Sequence, residues 1–230
     1  MSNGLAVVVG AGGGIGGAVA DALGGSGRYD DVVRLGRSSE PGLDLLEEAS
    51  VAACAGRLSN QAKELRLVFD ATGALTLDGV RPEKSLREID PDLLAKSFAV
   101  NAIGPALLMK HFLPLLPKNG RSVFATLSAR VGSIGDNRLG GWYAYRASKA
   151  ALNQLVRTAA IELARRKPDA ICVALHPGTV STPLTEGFAK DGLEVQVPDL
   201  AARRLLAVLD GLTPDQSGGF FDHHGEPVPW

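Results

Sequence analysis

Short apolar, β-branched runs alternate with helix-patterned segments along all 230 residues. That alternation predicts an α/β fold in which a parallel sheet is covered by helices on both faces. Two observations support it. A glycine cluster at 10–17 joins the first apolar run to the first helical pattern, and Tyr145 and Lys149 stand four residues apart inside another helical pattern. Strand candidates are 5–10, 31–36, 66–71, 121–128, 170–176 and 218–222, with a short extended piece at 43–45. Helix candidates are 14–25, 47–63, 91–116, 145–166 and 199–211. No repeat or low-complexity linker interrupts the series, and the length suits a single domain, 1–230.

The first unit reads Leu5-Ala6-Val7-Val8-Val9, then Gly10-Ala11-Gly12-Gly13-Gly14-Ile15-Gly16, then a segment in which Ile15, Val19, Ala22 and Leu23 recur at helical spacing. Strand, glycine turn and helix in this order let backbone N–H groups at a helix N-terminus hold a pyrophosphate. The loop from Gly10 through Gly12, Gly13, Gly14, Ile15 and Gly16 is therefore a candidate nucleotide site, and the fold a Rossmann-type doubly wound sheet. Two registers fit: Gly12, Gly14 and Gly17 as G-x-G-x-x-G, or Gly10, Gly14 and Gly16 as G-x-x-x-G-x-G. The second is preferred, because Gly10 directly follows the strand and takes the tight turn.

Composition narrows the partners. Apolar residues make up 45% of the chain, enough for a full core, and the net charge of −1 argues against a nucleic-acid partner. The start has no basic n-region, no apolar stretch is expected to approach a membrane span, and Cys54 and Cys172 lie in apolar surroundings. A soluble cytoplasmic protein with buried thiols is expected. His223-His224 reads as a polar turn rather than a metal pair, so no metal is expected.

The end of the second strand bears on cofactor choice. An NAD site calls for a carboxylate about 20 residues past the glycines. Gly36 fills that place, followed by Arg37 and Ser38. A guanidinium and a hydroxyl suit a 2′-phosphate that a carboxylate would repel, so NADP is favoured over NAD. Asp44 is a candidate acceptor for the adenine amino group and equally a candidate helix N-cap.

Residues at i and i+4 share a helical face, so Lys149 can stand beside Tyr145. A free phenol titrates near ~10. A positive charge about 4 Å away contributes roughly 1–4 kcal/mol, or one to three units, enough to make the tyrosine a general acid/base.

Glycines at 10, 14 and 16, Tyr-x-Ala-Ser-Lys at 145–149, and Pro177-Gly178 followed by Thr182 together resemble the short-chain dehydrogenase/reductase family over almost the whole chain. Segments 128–133, 136–142 and 225–230 resemble its C-factor/sniffer-type carbonyl reductases. The resemblance implies Tyr145 as proton donor to a carbonyl oxygen and Lys149 as holder of the nicotinamide ribose and activator of the phenol. It implies Asn101 as the residue that orders a proton-relay water, and Pro177, Gly178, Val180 and Thr182 as the seat of the carboxamide and phosphate.

Three departures stand out. Val9 replaces the usual threonine before the first glycine. Asp70-Ala71-Thr72-Gly73 stands where Asn-Asn-Ala-Gly is usual; Ala71, Thr72 and Gly73 still form the expected cofactor wall, but the sheet hydrogen bonding must differ. The family's catalytic serine lies three residues before a glycine, and counting back from Gly132 lands on Ala129. Ser128 is the first substitute and Ser133 the second.

Two function classes follow: an NADP-dependent carbonyl reductase or alcohol dehydrogenase for a small or medium substrate, and a cofactor-binding signalling or sensor protein with little turnover. Segment 183–198 is where a substrate would be chosen, and nothing in it names a chemical group. Helices 91–116 and 145–166 carry apolar residues around much of their circumference, which predicts a homodimer or homotetramer.

Overall fold

The computed structural model describes residues 4–185 and 195–230. The expected α/β architecture is present. Six parallel strands run in the order β2-β1-β3-β4-β5-β8: β1 (Leu5–Val9), β2 (Asp31–Leu35), β3 (Leu65–Asp70), β4 (Ser122–Leu127), β5 (Ala170–His176) and β8 (Phe220–Asp222). A small second ladder pairs β6 (Thr179–Val180) with β7 (Val195–Gln196). The inner strands are buried on both faces, which is why they read as continuous apolar runs rather than alternating ones.

Alternate strand residues feed two cores. Val7, Val68 and Phe124 pack with Leu108 and Phe112 of α4 (Gly104–Phe112), Leu152 and Val156 of α5 (Tyr143–Ala164), and Val51 of α2 (Glu48–Ser59). Val8, Phe69 and Ile171 pack with Val19 and Leu23 of α1 (Gly14–Gly25) and Leu205 of α6 (Pro198–Gly211) on the other face. The strand order reverses between β2 and β3 on either side of β1, so the crevice for a ligand opens at the carboxyl ends of β1 and β3.

Three expectations are corrected. The piece at 43–45 is not a strand, so β2 is the sheet edge on that side among the described residues. The helix expected over 91–116 is broken into α3 (Pro91–Phe98), a π-helical turn (Ala99–Ile103), α4 and a 3₁₀ turn (Leu113–Leu115). And the stretch Pro91–Leu115 does reach the length and apolarity of a membrane span. Its apolarity has a use inside the fold, where Leu108, Met109 and Phe112 are buried in the core against the sheet.

Candidate active site

β1 delivers the chain to Gly10, whose φ of +79° suits glycine. A Cβ on Gly16 would stand 2.3 Å from the Gly10 carbonyl oxygen, and one on Gly14 would stand 2.8 Å from Cγ2 of Thr182. Gly12 has open space around it. Sterics thus favour the 10/14/16 register. Helix α1 begins after Gly13 with no side-chain cap and no acidic residue in its first turn. Uncapped N–H groups beside glycines that permit close approach suit an anionic pyrophosphate. Opposite the loop, the hypothetical Gly10 Cβ would lie 3.2 Å from both Ala71 and Thr72, so these residues pack directly on the turn.

Arg37 and Ser38 are exposed just past β2, and Ser39 ties their turn by bonds to the Gly36 and Pro41 carbonyl oxygens. Asp44 accepts from the Leu46 backbone N–H at 2.9 Å, while Glu47 takes the N-cap of α2; the N-cap alternative for Asp44 therefore fails by three residues. Farther along, Gly178 (φ +75°) packs so closely on Gln196 and His223 that a Cβ would lie 2.6 Å from Gln196 Nε2. Gln196 Nε2 donates to the Pro177 carbonyl at 2.6 Å and so fixes the Pro177-Gly178 turn that leads to buried Val180 and to Thr182. Gln196 was not found from sequence, where a lone glutamine in a loop carries no signal. The expected substrate-choosing segment lies partly outside the described residues, at 186–194.

Asn101 occupies the π-helical turn, a local geometry frequent at functional sites. Its side chain bonds both backbone groups of Ala74, at 2.9 Å each, and Nδ2 also reaches Ser97 Oγ at 3.3 Å. Ser97 in turn meets Ser148 at 3.1 Å, and Ser148 bonds the Tyr145 carbonyl. A chain of small polar groups therefore links the loop after β3 to the face of α5 that carries Tyr145.

Tyr145 and Lys149 lie one turn apart near the start of α5. Arg146 pins the preceding loop by bonds to the carbonyls of Val131, Gly140 and Gly141. Lys149 is buried, and its Nζ donates to the Leu127 carbonyl at 2.8 Å and stands 5.9 Å from the Tyr145 ring centroid. Burial pulls the ammonium down to about 8, with the Asp70 carboxylate working the other way. Burial pushes the Tyr145 phenol up to about 12. The expected lowering of the phenol by Lys149 is thus not present here: the ammonium is turned to a backbone carbonyl, and loss of solvent dominates.

The two substitute serines differ in what their hydroxyls do: Ser128 donates, whereas Ser133 accepts. Ser128 is buried and donates to Asn153 Oδ1 at 2.6 Å. Asn153 is eight residues beyond Tyr145, roughly 12 Å along the helix axis. Ser133 is buried too, and its Oγ accepts from the Asp136 backbone N–H at 3.0 Å. Between them, Gly132 presses on α5, where a Cβ would lie 2.8 Å from Lys149 Cβ.

Beside Tyr145 a cleft of about 180 Å³ is lined by Leu75, Leu77, Val80, Leu93 and Glu83, among others. His176, at the end of β5, is held neutral: burial, then Arg130 and His223, pull it down to about 4. Among the described residues no group of three His, Cys, Asp or Glu is placed to hold a metal ion.

Comparison with known proteins agrees with this geometry. The family model for short chain dehydrogenases matches residues 4–193. A 1-hydroxy-2-glutathionyl-2-methyl-3-butene dehydrogenase from Rhodococcus sp. (strain AD45) is 36% identical over 87% of this chain and 84% of its own. The C-signal of Myxococcus xanthus is 40% identical over 64% of this chain and 84% of its own. Among solved structures, the NADPH-bound carbonyl reductase from chicken fatty liver superposes with a TM-score of 0.83 over 100% of this chain and 99% of its own, at 24% identity, a likeness of fold. A short-chain dehydrogenase/reductase from Burkholderia multivorans with bound NADP gives 0.80 at 25% identity, over 99% of each chain. With the glycine register, the Tyr145/Lys149 face and the family match in agreement, this chain belongs to the short-chain dehydrogenase/reductase family of oxidoreductases.

Proposed function

We propose that this protein is an NADP-dependent reductase of small or medium carbonyl compounds, or dehydrogenase of the matching alcohols, with Tyr145 as general acid/base. The observation that carries the reading is the Tyr145/Lys149 pair on one face of α5, beside a largely apolar cleft. Gly10, Gly14 and Gly16 with the uncapped start of α1 would hold the pyrophosphate, and Arg37 and Ser38 the 2′-phosphate. Lys149 would hold the ribose hydroxyls, and Val180 and Thr182 the carboxamide side. When bound, the nicotinamide supplies or accepts a hydride. Tyr145 gives its proton to the substrate oxygen, and Leu75, Leu77 and Val80 keep water from that side of the cleft. Asn101 holds the loop after β3 against α3.

A second reading, a cofactor-binding signalling protein with little turnover, is favoured by Ala129 at the serine position and by the 40% identity to C-signal. NADPH oxidation against aldehydes, ketones and quinones, and NADP reduction with alcohols that include glutathione adducts, separates the two. Turnover with any member supports the enzyme; tight NADPH binding without turnover supports the sensor.

Assembly belongs to the same proposal. Ile103, Leu155 and Ile161 remain exposed on the helices around α4 and α5, which favours a homodimer or homotetramer through that face. Light scattering at micromolar concentration that returned the mass of one chain would rule it out. Cytoplasmic location is likewise proposed, from the two buried free cysteines.

A further inference from the structure

Asp70 ends β3 fully buried, and it shares strand parity with Val68, on the sheet face that carries α5. Both carboxylate oxygens are engaged. One accepts from the Thr72 backbone N–H at 3.0 Å and the Thr72 hydroxyl at 2.5 Å, the other from the Thr126 hydroxyl at 2.6 Å. None of these donors is charged. The next residue after Thr126, Leu127, offers the carbonyl that Lys149 binds. A Cβ on Gly73, three residues past Asp70, would stand 3.3 Å from Lys149 Nζ. The carboxylate and the ammonium therefore meet the same short stretch of β4 and the same loop.

We propose that Asp70 is a positioning residue for Lys149, its carboxylate being the counter-charge that keeps the buried ammonium charged and in place. This rests on the reading of Lys149 as the residue that serves the cofactor ribose. An ammonium at 2% exposure with a neutral carbonyl as acceptor is costly unless an opposite charge lies nearby. The asparagine of the related pattern would keep the shape of the hydrogen bonds and lose the charge.

Among the described residues, the other charged groups named on elements packed near Lys149 are paired elsewhere or neutral. Arg130, on the turn against α5, pairs with Asp136 and Asp222. Arg146 of the same helix binds three carbonyls, α3 and the π-helical turn present Ser97 and Asn101, and Tyr145 keeps its proton below about 12. Burial raises the Asp70 carboxyl, and Thr126, Thr72 and Lys149 oppose that rise. Asp70 is the group that opposes the fall of Lys149.

The test uses cofactor-free protein labelled with ¹³C at lysine Cε and titrated by NMR, with Lys149→Arg assigning the resonance. The native midpoint is expected near 8, and Asp70→Asn should lower it by about one unit or more. NADPH affinity, read by fluorescence, should then be unchanged at pH 6 and about fivefold weaker at pH 8, where the charged fraction falls from about half to about a tenth. If Asp70→Asn fails to fold, Thr126→Val removes one donor from Asp70 and should lower the Lys149 midpoint in the same direction. An unchanged midpoint in the folded variant overturns the proposal, as does an NADPH loss equal at pH 6 and pH 8. A lowered midpoint in a protein that reduces no carbonyl compound upholds the pairing while the reductase reading fails.

Discussion

Lys149 Nζ lies 5.9 Å from the centre of the Tyr145 ring and gives its hydrogen bond to the Leu127 carbonyl rather than to the phenol. The lysine is therefore held by the backbone at Leu127, with its ammonium beside Gly73 rather than bonded to the phenol. The two side chains should then fail differently. Tyr145→Phe removes the proton donor and should reduce turnover about 10²–10⁴-fold while leaving NADPH affinity nearly intact. Lys149→Ala should weaken both. Steady-state kinetics with NADPH titration checks this, and a Tyr145→Phe variant with native turnover would sink the proposed mechanism.

The glycine loop yields a steric prediction. A Cβ at position 16 collides with the Gly10 carbonyl at 2.3 Å, whereas one at position 12 meets open space. Overpacking of this kind costs typically about 1–3 kcal/mol. Gly16→Ala should therefore lower the melting temperature by several degrees, roughly 2–4 °C per kcal/mol for a chain of this size, and abolish measurable NADPH binding. Gly12→Ala should leave the melting temperature where it is. Equal thermal shifts in the two variants would contradict the register.

Arg37 is exposed at the end of β2 with no carboxylate at position 36. A charge-assisted bond to a 2′-phosphate is worth roughly 1.5–3 kcal/mol, about ten- to hundredfold in affinity. The native protein should bind NADPH that much better than NADH, and Arg37→Asp should reverse most of the difference. Calorimetry giving equal dissociation constants for both cofactors in the native protein would end the argument for NADP.

How far the sequence could be read depends on the range of the interaction. Strands and helices follow from periodicities within one segment, so α1, α5, β1 and β5 stand within two residues of their expected limits. The break at 99–103 did leave a mark, since Pro105 lacks the N–H that an unbroken helix would give to the Asn101 carbonyl, but the apolar run over 91–116 outweighed it. Tyr145 and Lys149 were legible because one helix sets their spacing. The direction of the Tyr145 shift was not, since burial is contributed by other segments. Gln196 and Asn153 act through contacts 19 and 25 residues away, on Pro177 and Ser128, for which no local motif exists.

The serine position gives the sharpest test. Gly132 is pressed against Lys149 and its N–H donates to the Ala129 carbonyl at 2.8 Å, so the turn survives while the hydroxyl three residues before the glycine is missing. Ser128 spends its hydroxyl proton on Asn153, while Ser133 Oγ accepts from the Asp136 backbone N–H. Ser128→Ala should therefore act on stability, costing about 1–3 kcal/mol by stranding the buried Asn153 amide, with kcat little changed. Ala129→Ser should do the opposite, because it restores a hydroxyl at the position where the family pattern places one. Losing one such donor typically costs about 10²–10³-fold, so gaining one should raise kcat by about 10²-fold with the melting temperature nearly constant. If Ser128→Ala instead loses turnover by that factor at native stability, Ser128 is the working hydroxyl and the loop rearranges when cofactor binds. If Ala129→Ser gains nothing, Tyr145 holds the substrate oxygen without a serine, and low turnover is built into this chain.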